Sequence, residues 1–204
     1  AASDVYKRQQ RALGSGALAM RLIYVCTGTK FSQWYVDNLD HMINTYSGLK
    51  YDERVVIREE KFDGVFNKLQ MFDLFRDGEN LYFDLDVIIK SPVPNLVRKD
   101  LTVLHAWWRE PFHTPLNSSI ISWTGDCSYV YDEFMKDPEY YQLKYSRGID
   151  QFLYEKIKPS TYEPVCYSYR YDEQNNPDFS ICLFNQRKDR MQESGWWQEF
   201  ILTQ

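Results

Sequence analysis

The stretch Asn80–Ile89 (NLYFDLDVII) sets two aspartates inside an apolar, strand-like run. Two ionised carboxylates among apolar neighbours are unfavourable unless a cation compensates them. In a strand, successive side chains alternate faces, so Asp84 and Asp86 would point the same way, roughly 6–7 Å apart. The pair should emerge at the carboxyl end of a core strand, the edge where open α/β sheets bind ligands. This spacing suits two carboxylates that share one divalent metal.

Length and composition favour one domain with a ligand pocket. A chain of 204 residues is long enough for one sizeable core and too short for two ordinary domains. Aromatic residues make up 17% of it, with 16 Tyr and 6 Trp, which indicates a pocket that can stack on sugars or bases. The net charge of -5 provides no basic surface, so we expect no nucleic-acid partner.

Hydropathy and cysteine usage point to a soluble, cytoplasmic protein. No apolar run approaches the roughly 18–20 residues of a membrane span. Cys26, Cys127, Cys166 and Cys182 lie far apart, with no Cys-x-x-Cys pair. We therefore predict buried, reduced thiols rather than disulfides or a zinc site.

The first 19 residues differ from the rest of the chain. They show neither helical nor strand periodicity, and they are too rich in Gly and Ser for the apolar segment of a signal peptide. We expect residues 1–19 to be a non-native or disordered extension before a natural start at Met20. Residues 20–204 would then form the domain.

From Met20 onward, strand and helix patterns alternate. Strands are predicted at Arg21–Thr27, Arg54–Arg58, Leu81–Ile89, Leu101–Trp107, Leu116–Trp123, Val165–Tyr171 and Ser180–Phe184. Helices are predicted over Ser32–Tyr46, from Asn67 to Gly78, over Cys127–Lys136, Pro138–Tyr145 and Ile149–Lys156, and around Trp196–Ile201. Asn67 would cap its helix. The order predicts an α/β fold in which helices flank a mixed, mainly parallel sheet.

This order of parts resembles the GT-A glycosyltransferases, and within them the family 8-like bacterial and viral enzymes. The resemblance covers roughly Met20–Phe200 and is most specific at Leu81–Ile89, where Lys68-Leu69 upstream and Tyr82-Phe83-Asp84-Leu85-Asp86 follow the family signature. It implies a single-domain, Rossmann-like GT-A fold. It also implies a manganese- or magnesium-dependent hexosyltransferase that moves a sugar, with retention, from a nucleoside diphosphate sugar such as a UDP-sugar to a hydroxyl group on a glycan or other acceptor.

The resemblance assigns roles at the start of the site. It implies that Asp84 and Asp86 hold the metal on the donor diphosphate. Lys68 matches a basic position near the donor sugar and phosphate, although a surface cation at a helix start is an equal alternative. Thr27 and Gly28 match the first-strand loop that touches the nucleoside.

Two further motifs resemble the family pattern, and each of them also has a competing structural explanation. Asn117, in Leu116-Asn117-Ser118-Ser119, resembles the family's Asn-x-Gly strand start that binds sugar hydroxyls, with Ser119 in place of the glycine; a turn-forming Asn is the alternative. Asp150-Gln151 resembles the helix start whose Asp holds a donor-sugar hydroxyl and whose Gln faces the anomeric carbon. An N-cap aspartate explains the same pattern.

The chain departs from the family near its end. Where the family has His-x-Gly-x-x-Lys, this chain has Phe184-Asn185-Gln186-Arg187-Lys188. An amide oxygen can ligate a hard cation, so Asn185 would complete the metal site while Arg187 and Lys188 grip the diphosphate. Two other functions stay open. One is a haloacid dehalogenase-like phosphatase, which also uses Asp-x-Asp after a strand, and the other is a sugar-binding GT-A domain without catalysis.

Overall fold

Strands and helices alternate along the chain as the periodicity predicts. The computed structural model describes residues 18–109, 114–185 and 188–203, so nearly all of the predicted extension lies outside the described residues. The strands are β1 (Met20–Val25), β2 (Glu53–Ile57), β3 (Glu79–Phe83), β4 (Val87–Ile89), β5 (Thr102–His105), β6 (Leu116–Thr124), β7 (Ser160–Thr161), β8 (Tyr167–Ser168) and β9 (Ile181–Leu183).

The helices are short. They are α1 (Gln33–Met42), α2 (Gln70–Leu74), α3 (Tyr129–Phe134), α4 (Pro138–Lys144) and α5 (Ile149–Phe152). Helices α1 and α5 continue as π-helical turns over Ile43–Ser47 and Leu153–Ile157, and 3-10 helices span Gly64–Leu69, Lys188–Gln192 and Trp196–Glu199. Helix α1 and its π turn end at Gly48, whose φ of 70° is the left-handed conformation that glycine adopts without strain.

The six-stranded sheet confirms the predicted α/β class. Its strand order is β2-β1-β3-β6-β5-β7. Strand β1 pairs in parallel with β2 and β3, β5 pairs in parallel with β7, and β6 runs antiparallel to its neighbours β3 and β5. Five strands therefore share one direction and β6 opposes them, which is a mixed, mainly parallel sheet with helices on both faces.

The alternation of side chains along β1 builds two cores, one on each face of this sheet. Leu22 and Tyr24 pack with α1 and the small second sheet on one face. Ile23 and Val25 pack with α2, α3 and α5 on the other face. All six residues of β1 are buried, as expected for a central strand covered on both sides.

The acidic stretch is not one continuous strand. Strand β3 ends at Phe83, Asp84–Asp86 form a turn, and β4 joins a second sheet of order β4-β9-β8. The prediction that Asp84 and Asp86 lie on one continuous strand and point the same way along it is therefore wrong, although they do follow the carboxyl end of a core strand. The break arises because β3 pairs with β1 and β6, whereas β4 pairs with β9, almost a hundred residues later.

Two local predictions also need correction. Asn67 lies inside a 3-10 helix rather than capping α2, and its Oδ1 accepts the backbone N–H groups of Lys61 and Phe62 at 2.8 and 2.9 Å. The strand predicted over Val165–Tyr171 shrinks to Tyr167–Ser168. All four cysteines are buried with free thiols, as predicted.

Candidate active site

Four parts of the chain meet at one edge of the six-stranded sheet and line a cleft of about 190 Å³. They are the turn after β3, the start of β6, the start of α5 and the end of β9, and the 3-10 helix of Lys68 and the loops after β1, β5 and β8 add further lining residues. Because β6 runs opposite to β3, its amino end lies beside the carboxyl end of β3. A second cavity of about 120 Å³ reaches back to β1 and shares Lys30, Val65, Lys68, Asp84 and Asp86 with the cleft. We call it the β1 lobe.

Asp84 is compensated by groups of the protein itself. Its Oδ1 lies 2.5 Å from the Lys68 ammonium and also accepts a hydrogen bond from the Tyr82 hydroxyl. Burial alone would raise the pKa of Asp84, but Lys68, Tyr82 and Ser119 outweigh it and hold the pKa below its ordinary value. Lys68 is only 8% exposed, so the surface-cation explanation for this residue is excluded.

Asp86 has far less compensation. Among the described residues, no side chain forms an ion pair or a hydrogen bond with its carboxylate. Burial and the neighbouring charge of Asp84 raise the pKa of Asp86 to about 6, against the opposing effect of Lys30 and Lys68. A carboxylate held in this state favours any added cation.

The start of β6 supplies backbone groups to both sides of the cleft. The pairing of β6 with β5 slips between Ile121 and Asn117, and this irregularity frees the backbone of the residues between them. The carbonyl of Ser119 accepts the N–H of Asp84 at 2.8 Å. Asn117 lines the cleft, and its Oδ1 accepts the N–H of Ser119 at 3.0 Å, so it also shapes the local turn as the alternative explanation supposed.

Asp150 forms the second carboxylate centre of the cleft. Its Oδ1 accepts the N–H of Ser118 at 2.9 Å, and its Oδ2 pairs with the Arg109 guanidinium at 2.6 Å. Arg109 also donates to the backbone carbonyls of Thr114 and Leu116, so the guanidinium ties the loop after β5 to the start of β6. The N-cap position of α5 is Gly148, which rules out the N-cap explanation for Asp150.

Asn185, which follows β9, also lines the cleft. This residue has a φ of 35°, and its Nδ2 donates to the Ser168 hydroxyl at 3.0 Å, which leaves its Oδ1 available to a ligand. Arg187 lies outside the described residues. Lys188 starts a 3-10 helix, and its side chain also lies outside the described part of the chain.

The other predicted residues lie near the cleft. Thr27 lines the β1 lobe. Gly28 has a φ of +61°, and a Cβ there would lie 2.9 Å from a Glu60 carboxylate oxygen, so the tight turn requires glycine. Gln151 is half-buried on α5, and its Nε2 donates to Glu155 at 3.1 Å, away from the residues that line the cleft.

Sequence reasoning missed several cations of the cleft. Lys30, Arg109, Arg147 and Arg170 all line it in addition to Lys68. With three carboxylates against these five cations, the described lining is positive, within a chain of net charge -5. Lys30 lies close to Gly28 in sequence and Arg147 close to Asp150, so proximity was a signal for these two, whereas Arg109 and Arg170 lie farther from any predicted site residue.

The donor groups of the site fit a hard divalent cation. Asp86 offers a carboxylate to which no other described side chain is bonded, Asp84 lies beside it, and Asn185 offers an amide oxygen from the end of β9. No three His, Cys, Asp or Glu side chains of the described chain cluster as a complete metal site. Asn185 would therefore be the third protein ligand, with phosphate or water oxygens filling the other positions.

Solved glycosyltransferase structures share this fold. Apo GlyE from Streptococcus pneumoniae TIGR4 matches with a TM-score of 0.61 at 13% identity, over 93% of this chain and 61% of that chain. A second GlyE structure matches with a TM-score of 0.56 at 13% identity over the same shares. A glycosyltransferase involved in the glycosylation of the major capsid of PBCV-1 matches with a TM-score of 0.60 at 11% identity, over 85% of this chain and 98% of that chain.

These likenesses establish a glycosyltransferase fold. No protein-family model and no curated protein matches the chain. The chain spans about three fifths of the GlyE chain. Within the described residues, no helix combines the length and the apolar character needed to cross a membrane.

Proposed function

We propose that this chain is a metal-dependent glycosyltransferase that moves a sugar from a UDP-sugar to a hydroxyl acceptor. The observation that carries this proposal is the Asp84–Asp86 turn, where Lys68 pairs with the first carboxylate and the second lines the cleft with no side-chain partner among the described residues. The turn lies at the edge of the sheet where α/β folds bind ligands, and the fold is that of glycosyltransferases.

In this proposal, Asp84, Asp86 and Asn185 hold Mn²⁺ or Mg²⁺, which when bound neutralises charge on the departing diphosphate. Lys68 keeps Asp84 ionised and turned toward the cleft. Lys30 and Lys68 lie between the turn and the β1 lobe, where they add fixed positive charge next to the diphosphate. Thr27 borders the same lobe and would contact the nucleoside.

Asp150 and Asn117 would bind the hydroxyl groups of the transferred sugar. Asp150 is held at both oxygens, and a carboxylate fixed in this way orients a hydroxyl donor well. Gln151 would have to release Glu155 before it could face the anomeric carbon. Arg187 and Lys188 keep their proposed role at the diphosphate.

We propose that the transfer retains the anomeric configuration, and the way the described carboxylates are used supports this. Among the described lining residues they are Asp84, Asp86 and Asp150. In the proposed arrangement the first two bind metal and the third is paired with Arg109. No described lining carboxylate is then left to act as the general base that an inverting displacement uses.

The test compares wild type with Asp86→Ala on a panel of UDP- and GDP-sugars, with and without Mn²⁺. We expect donor hydrolysis or transfer to require metal, and Asp86→Ala to lower its rate at least about a hundredfold, or about 3 kcal/mol of transition-state stabilisation. Asp132→Ala, an exposed aspartate on α3, is the matched control and should keep full activity.

Three outcomes separate the candidate functions. Equal activity of wild type and Asp86→Ala would refute the metal role. Binding of UDP-sugars without any turnover would favour the non-catalytic, sugar-binding alternative. Trapping of an aspartyl phosphate analogue with beryllium fluoride would favour the phosphatase, against the glycosyltransferase fold.

A further inference from the structure

Two large aromatic side chains lie exposed side by side next to the cleft. Trp107 is 46% exposed and Tyr171 is 52% exposed. Their ring centroids are 5.9 Å apart, with an angle of 50° between the ring planes. Large aromatic rings left in water forgo the stabilisation that burial gives, so two of them held together on the surface point to a ligand that covers them. We call this pair the aromatic platform.

The platform continues the cleft on the side away from the β1 lobe. Trp107 contacts Trp108 edge to face, with ring centroids 5.6 Å apart, and Trp108 is buried and lines the cleft. Tyr171 directly follows Arg170, which also lines the cleft. Neither Trp108 nor Arg170 borders the β1 lobe, where the proposed function places the nucleoside. A ligand on the platform would therefore reach the cleft without occupying the nucleoside site.

Hydrogen bonds fix the loop that carries Trp107. The N–H of Ala106 donates to the carbonyl of Pro115 at 2.6 Å, and the N–H of Arg109 donates to the carbonyl of Ala106 at 3.0 Å. The Arg109 guanidinium pairs with Asp150 at 2.6 Å. Trp107 therefore lies on a loop that is bonded both to the segment before β6 and to a carboxylate of the cleft.

The turn that carries Tyr171 is fixed to the opposite part of the site. The carbonyl of Ser168 accepts the N–H groups of Tyr171 and Asp172 at 3.0 and 3.1 Å. The hydroxyl of the same Ser168 accepts the side-chain amide of Asn185 at 3.0 Å. Both rings thus stand on segments that the cleft itself orders, and a site that is already ordered binds its ligand at a lower entropy cost.

The chemistry of the two rings favours a sugar. Among the described residues, neither the indole N–H of Trp107 nor the hydroxyl of Tyr171 has a hydrogen-bond partner. A pyranose ring has an apolar face of C–H groups and a rim of hydroxyl groups, so it can stack on an aromatic face and bond to a polar ring edge at once. A Ser or Thr side chain carries its hydroxyl group without a flat face beside it.

We propose that Trp107 and Tyr171 bind a sugar ring of the acceptor by stacking, which makes the acceptor a glycan rather than a Ser or Thr side chain of a protein. The inference deepens the proposed function and rests on it for the identity of the cleft as the place of transfer. The stacked ring would hold the glycan at the rim while one of its hydroxyl groups enters the cleft.

The experiment has two steps. The labelled full chain is first applied to a glycan array, with and without UDP and Mn²⁺. The glycan with the strongest signal is then titrated while acrylamide quenching of tryptophan fluorescence is recorded, and sorbitol serves as a polyol without a ring. Of the six tryptophans, all of which are described, Trp107 alone is exposed. We expect the glycan, but not sorbitol, to protect the fluorescence from acrylamide.

Trp107→Ala and Tyr171→Ala should each weaken glycan binding at least about tenfold, measured by calorimetry. Trp107→Phe keeps an aromatic face and should stay within about threefold of wild type. Because both side chains are exposed, the variants should fold, and unchanged UDP affinity checks this. Tyr154→Ala is the matched control, because Tyr154 is exposed on the π-helical turn after α5 and does not line the cleft. Its glycan affinity should equal that of wild type.

Several results would overturn the inference. Binding of no glycan would do so, as would glycan binding that survives Trp107→Ala or Tyr171→Ala. Binding of a Ser- and Thr-rich peptide that requires Trp107, in the absence of glycan binding, would assign the platform to a protein acceptor instead. If UDP does not bind even with Mn²⁺, the proposed function fails, while the array without UDP still decides whether the platform binds a sugar.

Discussion

Asp86 and Asp150 are two carboxylates of one cleft in opposite electrostatic states. Asp150 is 8% exposed and is fully matched, with a guanidinium on one oxygen and a backbone N–H on the other. Asp86 has no side-chain partner among the described residues, and its pKa is raised to about 6 by burial and by Asp84. Asp150 is paired within the folded protein, whereas Asp86 has only the unbonded charges of Lys30 and Lys68 to oppose its burial and the charge of Asp84.

This difference separates orientation from ligand capture. A carboxylate whose partners are all supplied by the protein is rigid and can position a substrate hydroxyl. A buried carboxylate without such partners destabilises the folded state, and a bound cation would offset that destabilisation. Metal binding and folding stability are therefore linked at that carboxylate. In the proposed function, metal would therefore bind at the Asp84–Asp86 turn and the sugar at Asp150.

Among the variants that test the difference between Asp86 and Asp150, Arg109→Met should have the largest effect on the free energy of unfolding. This change leaves Asp150 largely buried with one remaining hydrogen bond, so we expect the free energy of unfolding to fall by about 2–3 kcal/mol in urea titrations at pH 7.5. Arg76→Met removes an exposed ion pair that water screens, and it should leave the free energy of unfolding nearly unchanged. Equal effects of the two changes would mean that Asp150 does not need its partner.

A smaller effect of opposite sign is expected for Asp86→Asn without metal. Because the folded-state pKa of Asp86, about 6, lies above the ordinary aspartate value of 3.8, the folded state binds the proton more tightly, and stability is lost as pH rises through this window. Above about pH 6 the ionised carboxylate of Asp86 destabilises the folded state, and the neutral amide of Asn removes this destabilisation. We expect Asp86→Asn to gain about 1 kcal/mol at pH 7.5 in EDTA and almost nothing near pH 4.

The control for that change is Asp150→Asn, which should lose stability at pH 7.5 because it weakens the pair with Arg109. Urea titrations at several pH values measure both. A loss of stability for Asp86→Asn at pH 7.5 would show that the carboxylate is compensated in the folded protein.

Local periodicity was enough to predict an α/β fold with a mainly parallel sheet and to place the two aspartates at the carboxyl end of a core strand. Two apolar segments, β1 and Leu81–Phe83, are typical of strands buried on both faces. In the structure these two strands pair in parallel. The break after Phe83 could not be predicted, because the partner of β4 is β9 and no local pattern encodes a pairing with Ile181–Leu183. Leu85 is apolar and buried, as a residue of a core strand would be, so its identity did not indicate a turn.

The cations of the site were harder to predict than its carboxylates. The aspartates sit among apolar residues, where a charge stands out, whereas Arg109, Arg147 and Arg170 lie in polar loops, where arginine is ordinary. Their meeting depends on how the loops after β5, before α5 and after β8 fold over one cleft. Only the three-dimensional arrangement shows that they face a common space.

The most direct test of the central claim is a calorimetric titration of Mn²⁺ in the presence of UDP. Wild type, Asp86→Asn and Asp150→Asn would be compared at pH 7.5. The account predicts that Asp86→Asn weakens Mn²⁺ binding at least about tenfold, because it removes a charged ligand, while Asp150→Asn stays within about threefold of wild type. Unchanged Mn²⁺ affinity in Asp86→Asn, or an equal loss in both variants, would contradict it.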